Sequence, residues 1–241
     1  MKFKALIYYN LSYYVKSLKF IAPCLIFFVW FAQIHSQIPL QIWNQYFIGV
    51  ITIFILSHCI GAGIINCEDK TQEAITKLHV KNNTFFHIAK IVSALVFMIP
   101  FYFLMIFFPL IFGFFTRNLL FTEIIATIII FFLSSLMGVT TSVFFNKDFH
   151  DKGLALPFQV LVLIVMVVPF ATIFDENMFV QFVVLLLPPV NFFAERFHEL
   201  SNDVFLLDGN FFVFVLYAKA YSSALIGVYI RMTKSLFFTH S

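Results

Sequence analysis

Six long stretches of the chain are almost free of charge, and this feature limits its possible folds more than any other. They cover residues 20–34, 42–66, 91–116, 124–146, 153–174 and 209–230. A bilayer core about 30 Å thick requires about 20 apolar residues for each helical crossing. Because lipid offers the backbone no hydrogen-bond partners, each stretch should be a helix. We therefore predict an all-α integral membrane protein with six transmembrane helices in a single domain, residues 1–241.

The overall composition agrees with this prediction. Of the 241 residues, 61% are hydrophobic and only 11% are charged, whereas a soluble domain carries about 25% charged residues. Membrane lipid is therefore the expected surrounding of most of the chain. We expect no nucleic-acid partner.

The basic residues are distributed unequally between the two sides of the predicted membrane domain. With six crossings and a cytoplasmic N-terminus, twelve of the 15 Lys and Arg residues fall inside, and only Arg117 and Arg196 fall outside. Positive residues are enriched in cytoplasmic loops. We therefore predict that both termini are cytoplasmic.

Two further segments are expected to lie at the membrane surface. Residues 2–19 place apolar side chains at three- to four-residue spacing among lysines, as in an interfacial amphipathic helix. This helix is either a plain anchor or a mechanical elbow that links to a cytoplasmic partner. Residues 178–194 are apolar but contain Pro188 and Pro189, which end a helix and force a bend. We predict a re-entrant extracellular helical hairpin there, between the fifth and sixth spans.

The longest predicted cytoplasmic segment, residues 67–90, carries most of the functional information. Its sequence, CEDKTQEAITKLHVKNNTFFHIAK, predicts a helix over 68–81, a turn at Asn82 and Asn83, and a new helix capped by Thr84. Ile75 and Leu78 give the first helix a narrow apolar edge. Such an edge is suited to fill a groove on a partner, and the alternative is a solvated loop whose charges only fix the topology.

The same segment has charged residues that are suited to set the register of a docked partner. These are Glu68, Glu73 and Lys77. Opposite charges across an interface steer the encounter and fix its geometry.

The sequence contains no recognisable catalytic or metal-binding motif. It lacks the GxxxxGK[ST] phosphate-binding loop, so it cannot hydrolyse ATP by that route. Cys24, Cys59 and Cys67 show no metal-ligand spacing, and no second His follows His198 and Glu199 at the spacing of a zinc protease. We therefore expect neither an enzyme nor a directly bound cofactor.

Lys219 is the one basic residue inside a predicted span. A charged residue within a membrane segment is costly and is commonly functional. Two interpretations remain open: Lys219 faces a pore or a subunit interface, or its stem extends so that the ammonium reaches the outer surface.

Residues 68–90 resemble the cytoplasmic loop of type-2 ATP-binding-cassette (ABC) permeases. Thr71 and Glu73 match the Thr-x-Glu of that family, Glu68 matches its leading acidic residue, and Lys90 matches the Lys that opens the third span; Lys70 stands where Gly is usual. Residues 138–146 also look like the end of the family's fourth span. The amphipathic N-terminal helix, the six spans and the bent hairpin resemble the family's architecture.

The resemblance implies the membrane subunit of a bacterial ABC exporter in the plasma membrane. A dimer of such subunits, or a pair with a close relative, would carry two separate ATPase subunits that bind ATP and Mg²⁺. Residues 68–84 would be the coupling segment, and the cargo would be hydrophobic or amphipathic, with a cytolytic peptide as the specific expectation. The residues expected to dock the ATPase are Glu68, Thr71, Glu73, Ile75, Leu78, Asp148 and Phe149. Those expected along the substrate path are Lys219, Pro188 and Pro189.

A rival interpretation from a different class is a membrane receptor or immunity protein that binds a toxin or peptide without transporting it. Such a protein would bind no ATPase. An adjacent ATPase reading frame, or co-purification of an ATPase, would distinguish the exporter from this rival.

Overall fold

The chain is helical throughout the part that the structure describes. The computed structural model describes residues 3–36, 39–80, 82–145, 190 and 209–239. Four of its helices are long and apolar enough to cross a membrane, or five if one bent pair forms a single span. The all-α, multi-pass membrane class is thereby confirmed. The predicted span 153–174 and the hairpin at 178–194, apart from Val190, lie outside the described residues, so the count of six spans and the hairpin stay predictions.

Seven helices lie in the described parts of residues 3–145 and 209–239. They are α1 (Phe3–Lys16), α2 (Ile21–Ile34), α3 (Ile42–Ile65), α4 (Lys70–Val80), α5 (Asn83–Ile111), α6 (Phe121–Ser142) and α7 (Gly209–Thr239). A 3₁₀ turn, Val143–Phe145, extends α6.

The first two helices form a sharp elbow. Their axes meet at 78°, and the turn between them contains Leu18 with a positive φ of 58°. One face of α1 is buried against α5 and α3 through Leu6, Asn10 and Tyr14, and the Asn10 amide donates to Ser93 Oγ at 3.4 Å. With only 14 residues, α2 is about 21 Å long, which is shorter than the bilayer core.

The helix α5 begins eight residues before the predicted span of 91–116. Its first two turns (NTFFHIAK) mix polar and apolar residues, so the uninterrupted apolar run that predicts the span begins later. The Asn82 side chain accepts a hydrogen bond from the backbone N–H of Phe85 at 3.2 Å and thereby caps the helix. The prediction that Thr84 provides this cap is wrong, because Thr84 already lies inside the first turn.

Small residues bring α3 and α6 into close contact and form the centre of the bundle. Any Cβ added to Gly138 would overlap Ser57 Oγ and would lie 2.5 Å from the carbonyl oxygen of Phe54. Hydrogen bonds join the same two helices: Ser134 Oγ donates to the carbonyl of Val50 at 2.8 Å. Close backbone approach through small residues is a common way for helices to associate in lipid, where no hydrophobic effect favours packing.

An ion pair between the exposed Arg117 and the buried Glu123 fixes the start of α6. Both guanidinium NH groups of Arg117 contact the Glu123 carboxylate, at 3.0 and 2.7 Å. The same carboxylate accepts from the backbone N–H of Leu120 at 2.9 Å, which satisfies a free amide at the helix start. Donation of hydrogen bonds to Glu123 raises the pKa of Arg117 above its usual value.

We predict that Gly138→Ala will destabilise the protein by about 1–3 kcal/mol, because the new methyl group must push α3 and α6 apart. Gly227→Ala is the matched control, since a Cβ there meets nothing within 4 Å and alanine favours a helix by about 1 kcal/mol over glycine. Thermal unfolding of both variants in detergent measures the difference. Equal midpoints for the two variants would contradict the close contact of α3 and α6.

Candidate functional site

The short helix α4 has one buried face and one exposed face. Asp69 caps its start, accepting at Oδ1 from the backbone N–H of Gln72 at 2.7 Å. Glu73 and Thr76 are buried against the bundle. Ile75 and Leu78 are 45% and 76% exposed. The helix therefore presents the apolar ridge of Ile75 and Leu78 outward, while Glu73 and Thr76 face inward.

Lys90 holds the inward face of α4 in place. Its ammonium is 2.9 Å from Glu68 Oε2 and 3.9 Å from Glu73 Oε2, and it donates to the carbonyl oxygen of Ile65 at 3.1 Å. Lys90 and Glu68 are only 1% and 2% exposed. A buried ion pair of this kind is costly to break, because either charge left alone has no water to solvate it.

The second oxygen of Glu68 connects α4 to α1. Glu68 Oε1 accepts hydrogen bonds from the Tyr9 hydroxyl at 3.0 Å and from Thr76 Oγ1 at 3.1 Å. Gln72 in turn donates to the Tyr9 hydroxyl at 3.1 Å. One carboxylate thus joins α1, α4 and α5.

A second cation balances the charge of this group of residues. Lys77 lies 2.9 Å from Glu73 Oε1, one helical turn away on α4. The ring of Phe86 lies beneath both ammonium groups, with its centroid 4.5 Å from Lys90 Nζ and 5.4 Å from Lys77 Nζ. We call Glu68, Glu73, Lys77 and Lys90 the charge cluster. It contains two acids and two bases, so its formal net charge is zero.

The end of α3 receives ammonium groups as well. Lys19 donates to the carbonyl oxygen of Asn66 at 3.0 Å, beside the bond from Lys90 to Ile65. Cations at the C-terminal end of a helix are favoured, because the last carbonyls have no partners within the helix. The turn between α1 and α2 is thereby tied to the same region as the charge cluster.

The beginning of α5 also contacts α7. The Tyr229 hydroxyl and His87 Nδ1 lie 2.8 Å apart, and both side chains are buried. The charge cluster is therefore connected through α5 to the last helix.

A shallow groove runs beside the exposed ridge of α4. It has a volume of about 450 Å³ and is lined by Tyr9, Gln72, Ile75, Thr76 and His79. Its floor contains the hydroxyl and amide groups that hold Glu68, and Ile75 forms part of its wall. A partner that docks on the ridge would thus also contact the bonds that fix α4.

The predicted docking residues divide into three groups. Thr71, Ile75 and Leu78 are exposed on α4. Glu68 and Glu73 are buried in the charge cluster and contact residues of this chain. Of the predicted docking residues, only the first group therefore lies at the surface of α4, where a partner could contact it. Asp148 and Phe149 lie outside the described residues.

The predicted substrate-path residues are separated from the charge cluster. Lys219 is exposed on α7, ten residues and therefore about 15 Å along the helix from Tyr229. It lines a cleft between α5, α6 and α7. Pro188 and Pro189 lie outside the described residues.

Sequence reasoning missed the partners that complete the charge cluster. Lys90 was recognised only as the Lys that opens a span, and Tyr9, Gln72 and Thr76 were not recognised at all. The available signal was Lys90 itself, since a lysine that directly follows apolar residues at the start of a long span needs a nearby acid.

The described residues offer no site for metal chemistry. Among them, no group of three or more His, Cys, Asp or Glu side chains is placed to hold a metal ion. In the charge cluster, both carboxylates are paired with lysine ammonium groups, so neither is free to act as a general base. Its arrangement is suited to mechanical support.

Comparison with known proteins assigns the chain to no family. A scan against protein-family models found no matching family, and searches of the curated proteins and of the solved structures found no match.

We predict that Lys90→Met will lower the free energy of unfolding by about 3–5 kcal/mol, because Glu68 is left buried without a counter-charge. Lys77→Met is the matched control; its partly exposed pair should cost about 1 kcal/mol or less. Unfolding of the purified variants in detergent measures both values.

The double variant Glu68→Gln with Lys90→Met tests the cause of that loss. It removes both charges and keeps an oxygen for Tyr9 and Thr76, so it should regain at least part of the stability lost in Lys90→Met. A double variant that is as unstable as the sum of its single variants would contradict the ion pair as the cause.

Proposed function

We propose that this chain is the membrane-spanning permease subunit of an ATP-driven exporter of the type-2 ABC kind. The observation that carries the proposal is α4: its apolar ridge, Ile75 and Leu78, is exposed, while its opposite face is fixed to α1, α3 and α5 by the charge cluster. A partner that pushes on the ridge would therefore move the whole bundle and not only a loop.

The proposal assigns the energy source to a separate subunit. The chain has no phosphate-binding loop of its own, so ATP and Mg²⁺ would bind to partner ATPase subunits. An apolar ridge that fills a hydrophobic groove is a common mode of helix recognition. Thr71, on the same exposed face, would contact the ATPase beside Ile75 and Leu78.

The proposal also includes the membrane topology, the permease partner and the cargo of the subunit. The basic residues favour a plasma membrane topology with both termini and α4 in the cytoplasm. The permease would work with a second copy of itself or with a close relative. The apolar character of the described spans supports a hydrophobic or amphipathic cargo, with a peptide as the specific proposal.

We predict that the double variant Ile75→Asp with Leu78→Asp will lose the ATPase partner and cargo export but will keep its expression level and its stability. Both side chains are exposed, so their replacement leaves the bundle intact, whereas two carboxylates cannot enter an apolar groove without a large desolvation cost. Co-purification of the ATPase from the native host, together with export, measures the effect.

Leu120→Asp with Phe121→Asp is the matched control for this test. These two residues are 48% and 76% exposed and lie at the start of α6, at the opposite end of the bundle. The control should retain the ATPase. Normal association and export in the α4 variant would contradict the proposed docking, and a wild-type protein that co-purifies with no ATPase would favour the receptor or immunity protein.

Single cysteines will test the proposed topology in a background that lacks Cys24, Cys59 and Cys67. Cysteines at Asp175 and Asp203 should both react with an impermeant thiol reagent added outside intact cells, whereas a cysteine at Thr71 should react only after the cells are opened. Labelling of only one of the two outer positions would indicate a seventh span. Labelling of the cysteine at Thr71 from outside the cells would indicate the opposite orientation of the protein in the membrane.

A further inference from the structure

A large apolar cleft opens between α5, α6 and α7. Its volume is about 840 Å³, within the range of about 300–1,000 Å³ that is usual for ligand sites. Phe103 and Phe107 of α5, Ile128 and Phe132 of α6, and Leu216 and Lys219 of α7 contribute to its lining. Tyr102 also lines the cleft, but its hydroxyl hydrogen-bonds to Ser135 Oγ. Lys219 is therefore the one charged residue of an otherwise nearly apolar wall.

No acidic side chain among the described residues pairs with Lys219. None of the chain's 12 acidic residues lies within the six apolar stretches of the sequence. An uncompensated lysine at the centre of a span costs about 2.5–3.5 kcal/mol on insertion scales. A ligand that brings a carboxylate into the cleft would offset this cost.

The depth of Lys219 limits what such a ligand can be. The apolar part of α7 begins at Phe211, and Lys219 follows eight residues later, about 12 Å along the axis. Helical side chains lean toward the N-terminus, so the ammonium reaches toward Phe211 from a position well inside the apolar part of the helix. The anion must therefore be carried past an apolar stretch.

Because the anion must pass this apolar stretch, a helical peptide is favoured as the ligand over a lipid or a second copy of this chain. The anionic headgroup of a lipid stays at the membrane surface, so its tail would fill the cleft and leave Lys219 without a partner. A second copy has no acid within its apolar stretches. An apolar helix that carries one carboxylate about two turns from its end, with apolar residues at i±3 and i±4 around it, meets both the apolar wall and the ammonium.

We propose that the cleft between α5, α6 and α7 binds an apolar helical peptide through a carboxylate that pairs with Lys219. In the exporter proposed above, this peptide is the cargo, and to that extent the inference rests on the proposed function. Binding itself requires no ATPase. Failure of the two proposals is therefore distinguishable.

The direct test uses the full chain, purified alone in nanodiscs, and a fluorescent synthetic peptide of about 20 apolar residues, long enough to cross the core. One peptide carries Glu at its eighth position, and its partner carries Gln there. Because hydrogen bonds to charged groups are the stronger ones, the wild-type protein should bind the Glu peptide about tenfold more tightly than the Gln peptide.

Three variants assign the preference to the cleft. Lys219→Met keeps the stem but removes the charge, so both peptides should bind equally; Lys219→Arg should restore the preference for Glu. Ile128→Trp fills the cleft and should weaken both peptides alike. Gel filtration of each variant confirms its fold.

Several outcomes would overturn the proposal. They are equal binding of the two peptides by the wild type, no binding of either peptide, and a preference for Glu that survives in Lys219→Met. Displacement of the Glu peptide by anionic phospholipid, in a manner that depends on Lys219, would identify a lipid site and would also reject the peptide.

Discussion

The ion pair between Lys90 and Glu68 is the interaction on which the proposed working end of the molecule depends. It is buried, and it lies where α1, α3, α4 and α5 meet. Glu68 accepts one hydrogen bond from a hydroxyl of α1 and one from a hydroxyl of α4, and Lys90 also donates to the carbonyl oxygen of Ile65 at the end of α3. Since each of these groups would be left unsatisfied in a low-dielectric site if α4 moved away, α4 and the membrane helices should move together.

The close contact of α3 and α6 should make these two helices move as one unit when α4 is displaced. Gly138 lies against the backbone of Phe54, and hydroxyl-to-carbonyl bonds such as Ser134 to Val50 cross the same interface. At the far end, Arg117 and Glu123 fix the start of α6. The cleft that Lys219 lines is formed by α5, α6 and α7. The two proposed sites, α4 and the cleft, are therefore connected through packed helices and not through loops.

Sequence reasoning predicts the parts of this structure that depend on local pattern. The bounds of α3 differ from the predicted span 42–66 by one residue, because charged and polar residues directly follow its apolar run. The start of α5 was misplaced by two residues, since both Asn82 and Thr84 are residue types that can cap a helix and the cap is Asn82. The burial of Glu68 and Glu73 was also missed, because it depends on their contact with Lys90, which lies in α5. Residues 146–189 and 191–208 lie outside the described residues, so the predictions made for them remain predictions.

We propose that a separate ATPase docks on α4 and moves this membrane domain through it. A photo-reactive amino acid at Leu78, the most exposed apolar position of α4, tests this in cells of the native host, with the same amino acid at Phe121 as the control. We expect irradiation to join Leu78 to a protein that carries a phosphate-binding GxxxxGK[ST] loop, and Phe121 to give no such product. Joining of Leu78 to a protein without that loop, or to no protein at all, would rule out α4 as the ATPase contact.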